Sequence, residues 1–179
     1  MNIAIDIDDT LTESFDYFLP YVAEYFDVDE ETLRKQNISY SNLPKEWKKD
    51  EIGFCRAYYD RIVPGTPFKQ DAAWGVKRLR ELGHRIVIIT ARTDALYTDP
   101  YQTTEQELAN GGICYDKLIC TFDKAKACVE EEISVLIDDS LTYCDAASEK
   151  GISKLLIFQQ GKSIRGDGAH SCLELGRSN

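Results

Sequence analysis

The chain of 179 residues is 43% hydrophobic and 29% charged, enough to bury one core without metal or disulfide support and unlike a disordered segment. Its 21 basic against 31 acidic residues leave a formal charge of -10, which repels polyanions at long range and excludes a nucleic-acid polymer or an anionic membrane as a natural partner. No apolar run approaches the ~20 residues of a membrane span, and Met1 leads into Asn2-Ile3-Ala4-Ile5 without a basic segment or cleavage site, so a cytoplasmic location is expected.

Ile3 to Ile7 opens the chain as a continuous, β-branched apolar run of the kind found in buried parallel strands. About 60 residues then intervene before the next core helix, far more than the usual ~2–6 of a βα loop. That segment reads as helices over 14–26, 30–36 and 44–63, closed by Pro64-Gly65-Thr66-Pro67, and it carries 12 of the 19 aromatic residues. The expected division is therefore an α/β core of residues 1–10 and 71–179, with a helical cap over 11–70.

Beyond the insert, Ala72, Ala73, Val76, Leu79 and Leu82 form one helical stripe, and shorter helices are expected over 103–110, 124–131 and 140–150. Further strands are expected at Arg85 to Ile89, Lys117 to Cys120, Ser134 to Ile137 and Lys154 to Phe158. Gly83, Gly111-Gly112 and Gly151 stand where left-handed helix C-caps belong. Strands and helices alternating with short links predict a doubly wound, five-stranded parallel α/β sheet with its ligand site at the carboxyl ends of the strands. The tail from Gly161 is glycine-rich and polar, and reads as loosely ordered. Six cysteines (Cys55, Cys114, Cys120, Cys128, Cys144 and Cys172) include no Cys-x-x-Cys pair, and only His84 and His170 accompany them, which suits reduced, structural thiols.

The chemistry concentrates at four strand ends. Asp6 and Asp8 share one side of an extended chain after the first run, and Asp138-Asp139 follows the fourth. Each pair alone suits turn or N-cap carboxylates equally well. Together, with no convergent Cys or His, they form a hard oxygen site suited to Mg²⁺ and a phosphoryl ligand. Thr90-Ala91-Arg92 offers a hydroxyl and backbone amides, and Thr121-Phe122-Asp123-Lys124 offers a cation, with Lys126 two residues on.

Asp-x-Asp-x-Thr after a strand, Thr after a second, a Lys, then Asp-Asp, in that order, resembles the haloacid dehalogenase superfamily of phosphotransferases. The order Thr-Phe-Asp-Lys then Leu-Ile-Asp-Asp, with a helical insert after the first motif, resembles its 5'(3')-deoxyribonucleotidases of the cytosolic type. Asp9 stands where many members of the superfamily place Gly.

The resemblance implies that Asp6 is a nucleophile forming an aspartyl-phosphate and that Asp8 protonates the leaving alcohol and then activates water. Thr90, Ala91 and Arg92 would hold phosphate oxygens, and Lys124, with Lys126 in reserve, would neutralise charge. Asp6, Asp8, Asp138 and Asp139 would surround Mg²⁺, which keeps Asp6 ionised while Asp8 must carry a proton. The implied substrate is a small phosphate ester, a nucleoside monophosphate, with sugar phosphate or phosphoserine as alternatives. A rival of another class is a phosphate- or magnesium-binding module without turnover, of the receiver kind. Phe15, Phe18, Val22, Tyr25 and Phe26 read as the insert's own core, leaving Tyr40, Trp47 and Phe54 as candidates to stack a base.

Overall fold

The computed structural model describes residues 1–157. In them β1 (Asn2–Ile5), β2 (Arg85–Thr90), β3 (Lys117–Cys120), β4 (Val135–Asp138) and β5 (Ser153–Leu156) pair in the order β3-β2-β1-β4-β5. Every pairing is parallel, so the fold is the doubly wound α/β sheet that the apolar runs predict. The last strand stops at Leu156; Phe158, the Gly161 tail, His170 and Cys172 lie outside the described residues.

The continuous apolarity of the runs follows from two covered faces. Ile3, Ile5, Ile86 and Ile88 pack on one side, with Val76 of α5 (Ala72–Glu81) and Leu108 of α6 (Pro100–Asn110). Ala4, Val87, Ile89 and Leu136 pack on the other, against α7 (Lys124–Glu130) and α8 (Leu141–Glu149). No helix of the described residues is long and apolar enough to cross a membrane.

Between β1 and β2 lie α1 (Ser14–Phe26), α2 (Glu30–Lys35), α3 (Lys45–Lys48) and α4 (Glu51–Ile62), then a 3-10 turn over Val63–Gly65. The helix expected over 44–63 is thus two helices. Lys48-Lys49-Asp50 contributes no apolar side chain to hold a third turn in line, and Asp50 leaves the helical region at φ -102°, ψ 4°. Phe18, Leu19, Val22, Leu33 and Phe54 form a separate core here, completed by Leu96 and Tyr97 from the loop after β2. The insert leaves and rejoins the sheet at one place: Thr12 bridges Phe68 antiparallel, and the Glu13 and Lys69 amides donate to Pro67 and Leu11 carbonyls at 2.9 and 2.8 Å.

Gly83, Gly112 and Gly151 are left-handed, as C-caps require. Gly111 is not; at φ -78° it is right-handed, and its need for glycine is spatial. A Cβ on Gly111 would stand 2.3 Å from the Phe68 ring at the foot of the insert. Gly111→Ala is expected to destabilise the protein by about 1–3 kcal/mol through this overpacking, read as a lowered denaturant midpoint.

Candidate active site

The site begins with the register of two strands. Asp6, one residue past β1, donates its amide to the Ile137 carbonyl of β4 at 2.9 Å. Asp6 therefore lies beside Asp138, the last residue of β4, at the carboxyl edge where the strand order reverses.

Lys124 enters between them. The Asp123 side chain caps α7 by accepting from the Lys126 amide at 3.1 Å, and the first helical residue turns inward. The Lys124 Nζ donates to Asp6 Oδ1 and to Asp138 Oδ2, both at 2.7 Å, and lies 4.3 Å from the centroid of the Tyr143 ring. Burial alone would lower the pKa of this ammonium; Asp138 and Asp6 instead raise it far above the usual lysine value. Lys126 is exposed and pairs with Glu130 at 3.8 Å.

One carboxylate oxygen from each of Asp6, Asp138 and Asp139 lies within 4.8 Å of the others. Around Mg²⁺ such oxygens stand ~3 Å apart when adjacent and ~4.2 Å when opposite, so the three would draw inward to hold one ion. The donors are oxygen only, which suits a hard cation rather than zinc or copper. Three carboxylates against one ammonium also leave the cluster with excess negative charge. Burial pushes the Asp6 carboxyl well above its ordinary value despite Lys124, and Asp138, Asp8 and Asp139 add to the rise.

Asp8, expected among the metal ligands, is outside this cluster. Its carboxylate is gripped by Arg92, Nε to Oδ2 at 3.2 Å and Nη2 to Oδ1 at 2.9 Å, and it accepts from the Ser14 hydroxyl at 2.9 Å. Burial works to raise the Asp8 carboxyl, but the Arg92 guanidinium and the hydrogen bonds of Arg92 and Ser14 together hold it below the ordinary carboxylate value. In the metal-free protein the two carboxyls are thus biased opposite to the protonation that the resemblance implies.

Arg92 itself is 1% exposed. Its guanidinium is engaged by Asp8, Thr104 and Glu107, so its charge is already committed within the protein and not free for a phosphate group as the sequence suggests. Ala91 and Arg92 line a cavity of about 140 Å³ together with Asp6, Lys124, Asp138 and Asp139. Thr90 is fully buried at the end of β2, and its hydroxyl has no hydrogen-bond partner among the described residues; nor has the hydroxyl of Ser140, which borders the cavity. A buried hydroxyl without a partner costs roughly 1–3 kcal/mol, a cost that an acceptor atom of a ligand would remove.

The insert closes the cavity with Tyr40, Ser41, Glu51 and Tyr59, opposite Phe122 and Tyr143. Of the three rings expected to meet a base, only Tyr40 is here. Trp47 stacks on Phe26 at 4.6 Å between centroids, and Phe54 is fully buried in the insert core, both drawn off by apolar packing. Asp9 links insert to sheet. It adopts φ +58°, a region Asp tolerates better than most residues, and its carboxylate accepts from the Phe15 amide at 2.7 Å and the Tyr40 hydroxyl at 2.9 Å. A glycine there would keep the backbone and lose both bonds.

No family model matches the chain, and no curated protein sequence matches it. Solved structures do. A HAD family hydrolase from Deinococcus radiodurans with bound phosphate and sodium superposes with a TM-score of 0.59 at 15% identity, over 96% of this chain and 86% of the other. A predicted phosphatase from Clostridium acetobutylicum gives 0.62 at 15%, over 87% and 83%. A hydrolase from Streptococcus pneumoniae gives 0.54 at 14%, over 89% and 93%. With its five parallel strands in the order β3-β2-β1-β4-β5 and a helical insert after the first, the chain has the fold of the haloacid dehalogenase-type hydrolases.

Proposed function

We propose that the protein is a magnesium-dependent phosphomonoester hydrolase working through an aspartyl-phosphate on Asp6, and that its substrate is a nucleoside monophosphate. The observation that carries the first part is the Lys124 ammonium shared at 2.7 Å between Asp6 and Asp138, in a cavity whose wall includes Ser140, a hydroxyl that, like that of Thr90 at the end of β2, has no partner among the described residues. A structural ion pair needs no such hydroxyls; a phosphoryl group does.

In the proposed reaction an Asp6 carboxylate oxygen attacks phosphorus as the ester P–O bond breaks, and Asp8, which the negative charge of the bound phosphoryl group would protonate against the pull of Arg92, gives that proton to the departing oxygen. Water then attacks the same phosphorus, returning a proton to Asp8 and freeing Asp6. Lys124 holds Asp6 in line while the Thr90 and Ser140 hydroxyls and the Ala91 and Arg92 amides receive phosphate oxygens. Magnesium held by Asp6, Asp138 and Asp139 would supply the positive charge that lets a dianion approach this acidic rim. The nucleoside is proposed from the rings of Tyr40, Phe122 and Tyr143 around the cavity, since base stacking on aromatic side chains contributes about 1–3 kcal/mol per base.

Purified protein is expected to release phosphate from p-nitrophenyl phosphate with magnesium, to lose at least ~10²-fold of that rate in EDTA, and to regain it when magnesium is restored. Inactivity under all conditions overturns the hydrolase. In a panel of esters, 5' and 3' nucleoside monophosphates, deoxy and ribo, are expected to outpace sugar phosphates and phosphoserine in kcat/KM. The reverse order removes the nucleoside and keeps the hydrolase.

A further inference from the structure

Glu107 is a carboxylate with 0% of its side chain exposed, in the middle of α6, a helix that otherwise packs Leu108 into the sheet core. Burying a carboxylate is unfavourable unless it is paired, and a buried ion pair is weak grounds for stability, because apolar residues of similar volume often serve as well. Its partner is Arg92, whose Nη1 donates to the Glu107 Oε2 and, at 3.2 Å, to the Thr104 hydroxyl one turn earlier on α6. The opposite edge of the same guanidinium, Nε and Nη2, forks onto Asp8. The Tyr97 ring stands 5.8 Å from its Cζ.

A planar guanidinium fixed along one edge has its other edge fixed too. Asp8 stands at the start of a loop, 24% exposed at its side chain, and the Arg92 fork, which meets both its oxygens while the Ser14 hydroxyl meets one, sets the plane of its carboxylate. We propose that Glu107 is a positioning residue: with Thr104 it locks the plane of Arg92, and through Arg92 it aims the Asp8 carboxyl at the oxygen of the departing alcohol. This rests on the hydrolase reading, in which Asp8 delivers that proton.

The test separates aiming from mere folding by varying the leaving group. An alkoxide needs a proton as it departs, whereas p-nitrophenolate leaves without one, so a misaimed acid slows the first far more than the second. Magnesium-loaded parent, Glu107→Gln and Thr104→Val proteins are assayed on benzyl phosphate and p-nitrophenyl phosphate, two esters of similar size, with thermal melting recorded alongside. For Glu107→Gln the ratio of kcat on benzyl to kcat on p-nitrophenyl phosphate is expected to fall by about 10–100-fold, below the full loss of the ~10²–10⁴ that a placed general acid supplies, because the acid is misaimed and not removed. For Thr104→Val, which keeps shape and charge and removes one anchor, the same ratio is expected to fall by roughly 3–10-fold, and this variant carries the test if Glu107→Gln does not fold. A ratio equal to the parent's in the folded variants, whatever happens to the melting temperature, overturns the inference and leaves the hydrolase standing. A parent that cleaves neither ester overturns both.

Discussion

Asp6→Asn is expected to abolish hydrolysis, with kcat on p-nitrophenyl phosphate falling by about 10⁴-fold or more, the scale seen when a nucleophile is removed from a site that acts as a unit. The change is nearly isosteric. It removes the attacking oxygen and the site of the covalent intermediate, so acid-quenched variant incubated with a labelled ester should carry no phosphate where the parent does. The fold should survive. Burial already holds the Asp6 carboxyl well above its ordinary value, which means that ionising it in the metal-free protein opposes folding at neutral pH. An amide relieves that opposition, and Lys124 keeps Asp138 as its partner. The melting temperature of metal-free Asp6→Asn should therefore be no lower than the parent's. A variant as active as the parent would remove Asp6 from the chemistry altogether.

Lys124→Ala carries the second large expectation, and here activity and stability fall together. The ammonium is 2% exposed and is the partner of two buried carboxylates. Removing one member of a buried ion pair costs about 3–5 kcal/mol, because the charge left behind has neither water nor partner. Loss of a preorganised cation at the transferring group costs roughly 10²–10³ in rate. Lys126→Ala is the control: its side chain is exposed and its pairing with Glu130 is a surface one, so rate and unfolding free energy should stay within about 2-fold and 0.5 kcal/mol of the parent. Magnesium should narrow the stability deficit of Lys124→Ala without restoring its rate, since a bound cation can balance the carboxylates yet cannot replace an ammonium fixed at the end of α7. If Lys126→Ala proved the damaging change and Lys124→Ala the mild one, the assignment of the motif lysine would be reversed.

How much of this was legible in the sequence differs between sheet and insert. The strands announce themselves because both faces are covered, so each run is apolar throughout, and the acidic residues at their ends stand out by contrast. The break between α3 and α4 had no such mark: no glycine or proline separates Trp47 from Ile52, and only the lack of buried contacts at Lys48, Lys49 and Asp50 explains it. The cavity wall was harder still. Aromatic side chains at helical spacing serve the insert core and the cavity alike, and tertiary packing alone decides that Tyr40 faces Asp9 while Trp47 lies on Phe26. Tyr143 lies in α8 and Ser140 just before it, and no motif of the sequence assigns either to the site. Glu107 did leave a trace, since a carboxylate three residues after Thr104 and one before Leu108 falls on the covered side of its helix. Nothing in the sequence pairs it with Arg92, which approaches from a different loop.

The crossing at Thr12 and Phe68 has a consequence for the ancestry of such proteins. The chain departs and returns through one short antiparallel contact, and residues 13–66 are also tied to the loop and helix after β2, through Arg56 to Ala95, Asp60 to Thr98 and Thr103, and Pro64 to Asn110. Exchanging residues 13–66 for another helical insert of equal footprint would leave the strand register that brings Asp6 to Asp138 untouched. Any replacement must still roof the apolar side chains of Leu96, Tyr97 and Phe122 and offer donors to Asp8 and Asp9 where Ser14, the Phe15 amide and Tyr40 now do. Selectivity could thus diversify by swapping the roof while the machinery beneath is inherited unchanged.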